Sequence, residues 1–230
     1  MTSYLIDVAS PYQDGIDLAE VLAAGFTRVN VKISQGDWYT NPNAQMWITR
    51  AQQLGMGVST FHWLDNSASG KAQAQFALGL MDRYGVRYGA VHQCDCEDTK
   101  SPATWTIWRD YMTEVQQGLG RYAINYTGHW WWTAAGRNWN GASITPYLWA
   151  APNHGYDIAY PGDSSPDWNA GYGGWDQYTA LQYAVSPVWG AGGGELSKTA
   201  WRSQPAWDAL TGVAASSGTR SSNWWLWENS

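Results

Sequence analysis

Apolar, β-branched runs alternate along this chain with longer stretches in which apolar residues recur every three or four positions, the pattern of repeated strand–helix units. Tyr4–Ser10 reads as a first strand, followed by a turn from Pro11 to Gly15. Asp17 caps a short helix through Ala24, and Gly25 ends it. Arg28–Ser34 alternates strictly as a second strand, after which a helix opens at Asn41-Pro42 and runs to about Leu54, stopped by Gly55. Gly57–Trp63 is a third strand. Ala68–Tyr84 is a long Ala-rich helix with Ala72, Phe76, Leu80 and Met81 as its apolar positions. Val91–Glu97 is a fourth strand. Pro102, at its favoured first position, starts a helix through Leu119 that carries Trp105, Trp108, Met112 and Val115 at helical spacing. Arg121–Thr127 is a fifth strand.

Beyond this point the helices shrink. Tyr147–Ala151 and Ala180–Ala184 read as strands, and Pro152–Gly174 between them shows no helical period. Gly190–Gly194 is a glycine-rich turn, Glu195–Thr199 a last short strand and Pro205–Val213 a closing helix. The pattern predicts an α/β fold: an irregular TIM-like barrel of about five βα units followed by a mostly β second half. Residues 1–213 form this one unit, and 214–230 form a Ser- and Trp-rich tail rather than a separate binding domain.

At 230 residues such a barrel is within the reach of a single undivided unit. Hydrophobic residues make up 44% and charged residues 14%, the balance of a globular chain. The net charge of −6 and the absence of any basic run exclude a nucleic-acid partner. No apolar run reaches the roughly 20 residues of a membrane span, so no membrane insertion is expected. Met1–Asp7 lacks a basic, apolar signal sequence, which predicts synthesis as a soluble cytoplasmic chain. A disulfide between Cys94 and Cys96, two apart on a strand, would strain the upper Cα limit of about 6.8 Å, so free buried thiols are expected. A lone C-x-C is a weak metal motif; no metal or other cofactor is required.

The aromatic skew changes the picture more. The 18 Trp and 14 Tyr against 3 Phe favour rings with a polar edge, which suits a wet groove and stacking on sugars as well as an ordinary core.

The candidate chemistry lies at Asp95-Cys96-Glu97. On a strand the period of two puts Asp95 and Glu97 on one face and Cys94 and Cys96 on the other. An isolated D-x-E can be no more than a solvated strand end. In a parallel barrel, however, catalytic groups gather at the C-terminal ends of the strands, and Asp7, Trp63, Asp95, Glu97 and Tyr126 all fall late in theirs. Paired acids on such a rim suit glycosidic bond cleavage, in which one donates a proton and another stabilises positive charge. Two residues on, Cα atoms are about 6.6 Å apart, which straddles the retaining and inverting ranges.

Ile6-Asp7-Val8-Ala9-Ser10 with Tyr12-Gln13, Lys32–Gly36 with Tyr39 and Pro42, Phe61-His62-Trp63, Asp95-Cys96-Glu97, Ile124–Thr127 and Gln182-Tyr183 follow one another in an order that resembles glycoside hydrolase family 25, the Chalaropsis-type lysozymes of bacterial autolysins and phage endolysins. The resemblance spans roughly residues 4 to 200. It implies a flattened, irregular barrel and N-acetylmuramidase activity on the β-1,4 bond between N-acetylmuramic acid and N-acetylglucosamine of bacterial peptidoglycan. Within it Glu97 takes the place of the proton donor, Asp95 orients the substrate's N-acetyl group or stabilises charge, and Asp7 completes the acidic rim. The late Asp of the family pattern is replaced by Glu195, the usual Ser of the first motif by Ala9, and the Trp before Gln-Tyr by Leu181. The implied substrate-binding residues are Trp63, Tyr126, Tyr39, His62, Trp149, Gln182 and Tyr183; His62 reads equally well as a structural histidine. A monomer acting on the cell wall is expected, as a phage lysis enzyme that leaves the cell with a separate membrane-lesion protein.

Crowding by Asp7 and Asp95 is expected to raise the pKa of Glu97. Trp130-Trp131-Trp132 cannot share one helical face, so at least one ring should pack inward. The Trp224–Trp227 cluster reads as an aromatic plug. The alternatives are a chitinase-like hydrolase, against which His92 and Cys94 count, and a catalytically silent wall-binding module, against which the intact acids count.

Overall fold

A computed structural model describes residues 2–134, 139–152, 159–187 and 195–212. The predicted Gly190–Gly194 turn and the 214–230 tail with its Trp cluster lie outside the described residues.

The strands are β1 (Ser3–Val8), β2 (Arg28–Gln35), β3 (Tyr39–Thr40), β4 (Gly57–Trp63), β5 (Val91–Asp95), β6 (Ile124–Tyr126), β7 (Leu148–Ala150), β8 (Asn169–Tyr172), β9 (Trp175–Gln177), β10 (Ala180–Pro187) and β11 (Glu195–Trp201). The helices are α1 (Leu18–Ala23), α2 (Ala44–Gln53), α3 (Gly70–Arg83), α4 (Trp105–Leu119), α5 (His129–Trp132) and α6 (Gln204–Thr211). The sheet runs β1-β11-β10-β7-β6-β5-β4-β2, and β1 pairs back onto β2, which closes an eight-strand barrel; β3 is appended to β2. All pairings around the ring are parallel except those of β11, which is antiparallel to both β10 and β1. Five strand–helix units and then a mostly β closure is the architecture the sequence pattern predicts.

The helices start where local chemistry says they should. Asp17, Ser69, Thr104 and Ser203 each accept a backbone N–H from the first turn of α1, α3, α4 and α6, supplying partners that the helix cannot supply itself. Pro102 therefore does not begin α4; Thr104 caps it, and the helix starts three residues after the proline. Gly120 ends α4 at φ 65°, where a side chain would be strained. At Gly70 an added Cβ would lie 2.0 Å from the Ile107 carbonyl and 2.6 Å from Tyr111 N, so only glycine lets α3 approach α4 this closely.

Two apolar layers result. Val29, Val31 and Ile33 of β2 point outward with Ile6 and Val8 of β1 into a core shared with Trp47, Ile48, Trp108 and Met112 of the helices. Inside the barrel, Leu5, Val91, Ile124, Ala180 and Trp201 meet Trp207 and Leu210 of α6, which closes the end from which the parallel strands start. The barrel interior is thus filled at one end and open for function at the other.

Pro152–Gly174, free of helical period, holds a short 3-10 turn at Pro166–Trp168 and strand β8, which pairs antiparallel with β9 across Gly173-Gly174. Of the aromatic triplet, Trp131 and Trp132 are buried and Trp130 is exposed. Cys94 and Cys96 are buried, and neither is in a disulfide.

Candidate active site

Neighbouring parallel strands bring Trp63, Asp95, Tyr126 and Trp149 to one level, since each is in register with the next. Above this level a cavity of about 640 Å³ opens at the C-terminal ends of the strands, within the size range of small-ligand sites. Asp7, Asp95 and Glu97 all line it, with Trp63, Tyr126 and Gln182 of the sequence-predicted set. β5 ends at Asp95, but Cys96 N still donates to the Tyr126 carbonyl at 2.9 Å. The extended backbone therefore continues far enough to turn Glu97 to the same side as Asp95.

Inside the cavity Asn30 links two strands: its amide nitrogen donates to Asp7 Oδ1 at 2.8 Å and to Gln93 Oε1 at 2.5 Å. The Tyr126 hydroxyl donates to Gln182 Oε1. Trp63 donates its indole N–H to Asp98 Oδ2 at 3.0 Å. Lys32 places its ammonium 5.0 Å from the Trp63 ring centroid and 5.6 Å from that of Tyr39, within cation–π reach.

The carboxyls are all pushed toward their neutral forms. Burial raises Asp7 to about 7; the Asn30 hydrogen bond opposes this and the charge of Glu97 adds to it. Burial, then the charge of Glu97, lifts Asp95 well above the usual carboxylate range, with Lys32 pulling the other way. Burial and then the charge of Asp98 raise Glu97 to about 7. The direction for Glu97 agrees with the expectation, but the cause differs: burial comes first and Asp98 second, not Asp7 and Asp95. Asp98 itself is lowered, because hydrogen bonds from Ser101 N, the Trp63 indole and Lys100 N outweigh its desolvation. Burial lowers Lys32, against the attraction of Asp95, Asp65 and Asp98.

Several predicted substrate contacts lie elsewhere. His62 alternates with Trp63 on β4 and so faces the helices, fully buried, with Nδ1 2.8 Å from Ser34 Oγ, Nε2 3.1 Å from Gln73 Oε1 and its ring stacked on Tyr111. Burial lowers it to about 4, so it is a neutral structural histidine. Tyr183 also points out of the barrel, packed edge-on against Tyr4 and Tyr160. Trp149 is fully buried and does not line the cavity; its ring is edge-on to Tyr126 and Trp201 and its N–H is on Thr199 Oγ1 at 3.2 Å. Tyr39 does not line the cavity; half-buried, it stands beside Lys32. Glu195 opens β11, opposite Pro187, but its side chain lies outside the described residues.

Lys32, Asn30 and Gln93 line the cavity without having been singled out as site residues. The signal for them was the alternation of β2 and β5. In a barrel whose outer face is covered by helices, the apolar set of Val29, Val31 and Ile33 must face outward, which leaves Asn30 and Lys32 facing in.

A closed α/β barrel with acids and aromatic rings gathered at the C-terminal rim of its strands has the architecture of a barrel glycoside hydrolase. The chain belongs to Glycosyl hydrolases family 25, whose sequence profile it matches over residues 6–189. It is therefore an enzyme, a glycoside hydrolase of the lysozyme class. It is 24% identical over 216 residues to Lysozyme M1 of Streptomyces globisporus, an alignment covering 87% of this chain and 68% of that one. Its fold is similar to the bacterial lysozyme of Streptomyces coelicolor (TM-score 0.72, 20% identity, 92% of this chain and 98% of that chain). It is likewise similar to a muramidase from Trichobolus zukalii (TM-score 0.70, 22% identity, 92% and 100%).

Proposed function

We propose that this enzyme is an N-acetylmuramidase that hydrolyses the β-1,4 bond between N-acetylmuramic acid and N-acetylglucosamine in peptidoglycan, with Glu97 as its proton donor. The observation that carries this reading is the meeting of Asp7, Asp95 and Glu97 in one cavity walled by Trp63 and Tyr126. Cleavage requires a proton on the leaving oxygen as positive charge develops at the anomeric carbon. A carboxyl held at about 7 still carries its proton in mildly acidic to neutral solution, which suits Glu97 to that task.

In this reading Glu97 gives its proton to the glycosidic oxygen as the C–O bond breaks, and Asp95 orients the N-acetyl group or stabilises the developing positive charge. Water then supplies a hydroxyl to the anomeric carbon, and the Glu97 carboxylate takes its proton. Asp7, held by Asn30, adds negative potential from β1. Trp63 and Tyr126 offer ring faces and polar edges to the sugars.

The test is digestion of purified peptidoglycan, with new reducing ends counted and products identified by mass. New reducing ends on N-acetylmuramic acid support the proposal. Ends on N-acetylglucosamine, or preferential cleavage of chitin oligomers, would overturn it. Glu97→Gln should slow the release of new reducing ends by about 10²–10⁴-fold or more while keeping the thermal unfolding transition.

A further inference from the structure

Asn30 stands in register with Asp7 across β1 and β2, and its amide nitrogen spends both hydrogens, one on Asp7 Oδ1 at 2.8 Å and one on Gln93 Oε1 at 2.5 Å. Turned over, the amide would set its oxygen against an Asp7 oxygen, so Asp7 fixes which way it lies. Asn30 is 1% exposed, and its Oδ1 is sealed in without a hydrogen-bond partner. An orphaned buried acceptor is costly, and an apolar side chain of similar size would avoid it. What Asn30 contributes therefore lies in its two N–H groups.

The consequence falls on Gln93. Its side-chain oxygen is taken by Asn30, and its Nε2 makes no hydrogen bond among the described residues. That nitrogen is not sealed in as Asn30 Oδ1 is; it is open to the cavity that Gln93 lines. Gln182 on β10 is arranged likewise, its Oε1 taking the Tyr126 hydroxyl. Gln93 lies two residues before Asp95 on β5 and on the same face, so it stands about 6.6 Å deeper along the strand. A sugar at the level of Asp95 that carries a substituent inward meets the Gln93 amide next.

We infer that Gln93 is a specificity-determining residue: its Nε2 donates to the acetamido carbonyl of the sugar seated beside Asp95, and Asn30, anchored on Asp7, is the positioning residue that turns this N–H toward the substrate. The inference rests on the glycan cleavage proposed above, but not on the muramic unit. Among the neutral groups of an N-acetylated sugar the amide carbonyl is the strongest acceptor, and a carboxyl supplies it a donor only while protonated. A carboxamide supplies one at any pH. Left loose, that carboxamide could present either end; with its oxygen held by Asn30, the donor end is set before substrate arrives, so less ordering is needed on binding.

The test compares kcat/KM on a soluble peptidoglycan tetrasaccharide with kcat/KM on its thioacetamido counterpart, in which C=S, a weaker acceptor, replaces C=O at nearly the same shape. Wild type should prefer the carbonyl form. Gln93→Met, which keeps the length of the side chain without its donor, should cut that preference about fivefold, and Gln93→Glu, which puts an acceptor there, should cut it at least as far. Asn30→Leu should cut it too, because Gln93 loses its anchor, whereas any effect through Asp7 falls on both substrates alike. Thermal unfolding establishes that each variant is folded. Equal rates of wild type on the two forms, or an unchanged preference in the Gln93 variants however far both rates fall, would overturn the inference; an unchanged preference in Asn30→Leu alone would strike Asn30 from it. If wild type leaves the peptidoglycan fragment intact and cleaves chitin tetrasaccharide, the muramidase reading falls, and the same preference is read on chitin and thioacetyl chitin oligomers.

Discussion

Trp63 donates its indole N–H to Asp98 at 3.0 Å, so a ring walling the cavity is fixed by an acid that does not itself line it. The same carboxylate is the charge that, after burial, raises Glu97. One residue thus sets both a wall and a proton, and two substitutions separate the roles. Asp98→Asn keeps an acceptor for the indole and removes the charge, so the alkaline limb of kcat/KM should move down with little change in KM. Asp98→Ala also frees the ring, and KM should rise about fivefold, the equivalent of about 1 kcal/mol for a half-exposed hydrogen bond. Equal KM in the two variants, measured on the same soluble fragment, would detach Trp63 from Asp98.

The proton on Glu97 sets the pH range of activity. Its carboxyl is raised from 4.5 to about 7, so the acid form is present below that value and lost above it. Activity should therefore fall as pH rises through about 7. Glu97→Gln cannot donate at any pH and should lose about 10²–10⁴-fold or more of kcat. A pH–rate profile flat from 5 to 9 on this substrate would remove Glu97 from the role.

Asp7 should cost the fold stability in return for its place in the site. Its pKa is about 7 in the folded protein against 3.8 ordinarily. Between those values the folded chain holds a proton that the unfolded chain has released, so stability falls as pH rises through this window and is lowest above about 7. Asp7→Asn stays neutral and still accepts from Asn30. It should be inactive or weakened yet melt higher than wild type at pH 8, with the gain shrinking toward pH 4. Melting curves of both proteins at the two pH values decide it; an equal gain at both would contradict the buried-charge account.

Much of this arrangement is legible in the chain because short-range rules govern it. Asp95-x-Glu97 faces one way because a strand has a period of two, and Asp17 announces α1 because a carboxylate can satisfy its first N–H groups. The same period, applied to Phe61-His62-Trp63, forbids His62 and Trp63 from sharing a face, and here the motif as a whole misled where its phase did not. The β8–β9 hairpin carried its own signal in Tyr172-Gly173-Gly174-Trp175, with both glycines at positive φ (61° and 79°), the turn that Gly-Gly favours. Lys32 was harder. The acids that attract it, Asp95, Asp65 and Asp98, are distant from it in sequence, and only the fold brings them near.

Arg28 shows that the two ends of the barrel are separable. It opens β2, and its guanidinium stacks 3.9 Å from the Trp207 ring centroid and 5.9 Å from that of Trp201, with Nη2 on Gln204 Oε1 at 2.5 Å. It therefore fastens α6 across the floor, at the end opposite the cavity. Burial lowers it to about 10 and Nη1 has no hydrogen-bond partner, so the charge is held at some cost and packing contributes much of the benefit. Arg28→Ala should destabilise the protein by about 2 kcal/mol or more, lowering Tm by about 4–8 °C. Arg28→Met, which keeps a long apolar stem over Trp207, should recover a substantial part of that loss. Below the melting transition both variants should turn over substrate at the wild-type kcat/KM, because Arg28 touches none of the cavity acids. A fall in kcat/KM in folded Arg28→Met would show that the floor and the acidic rim are coupled through the barrel.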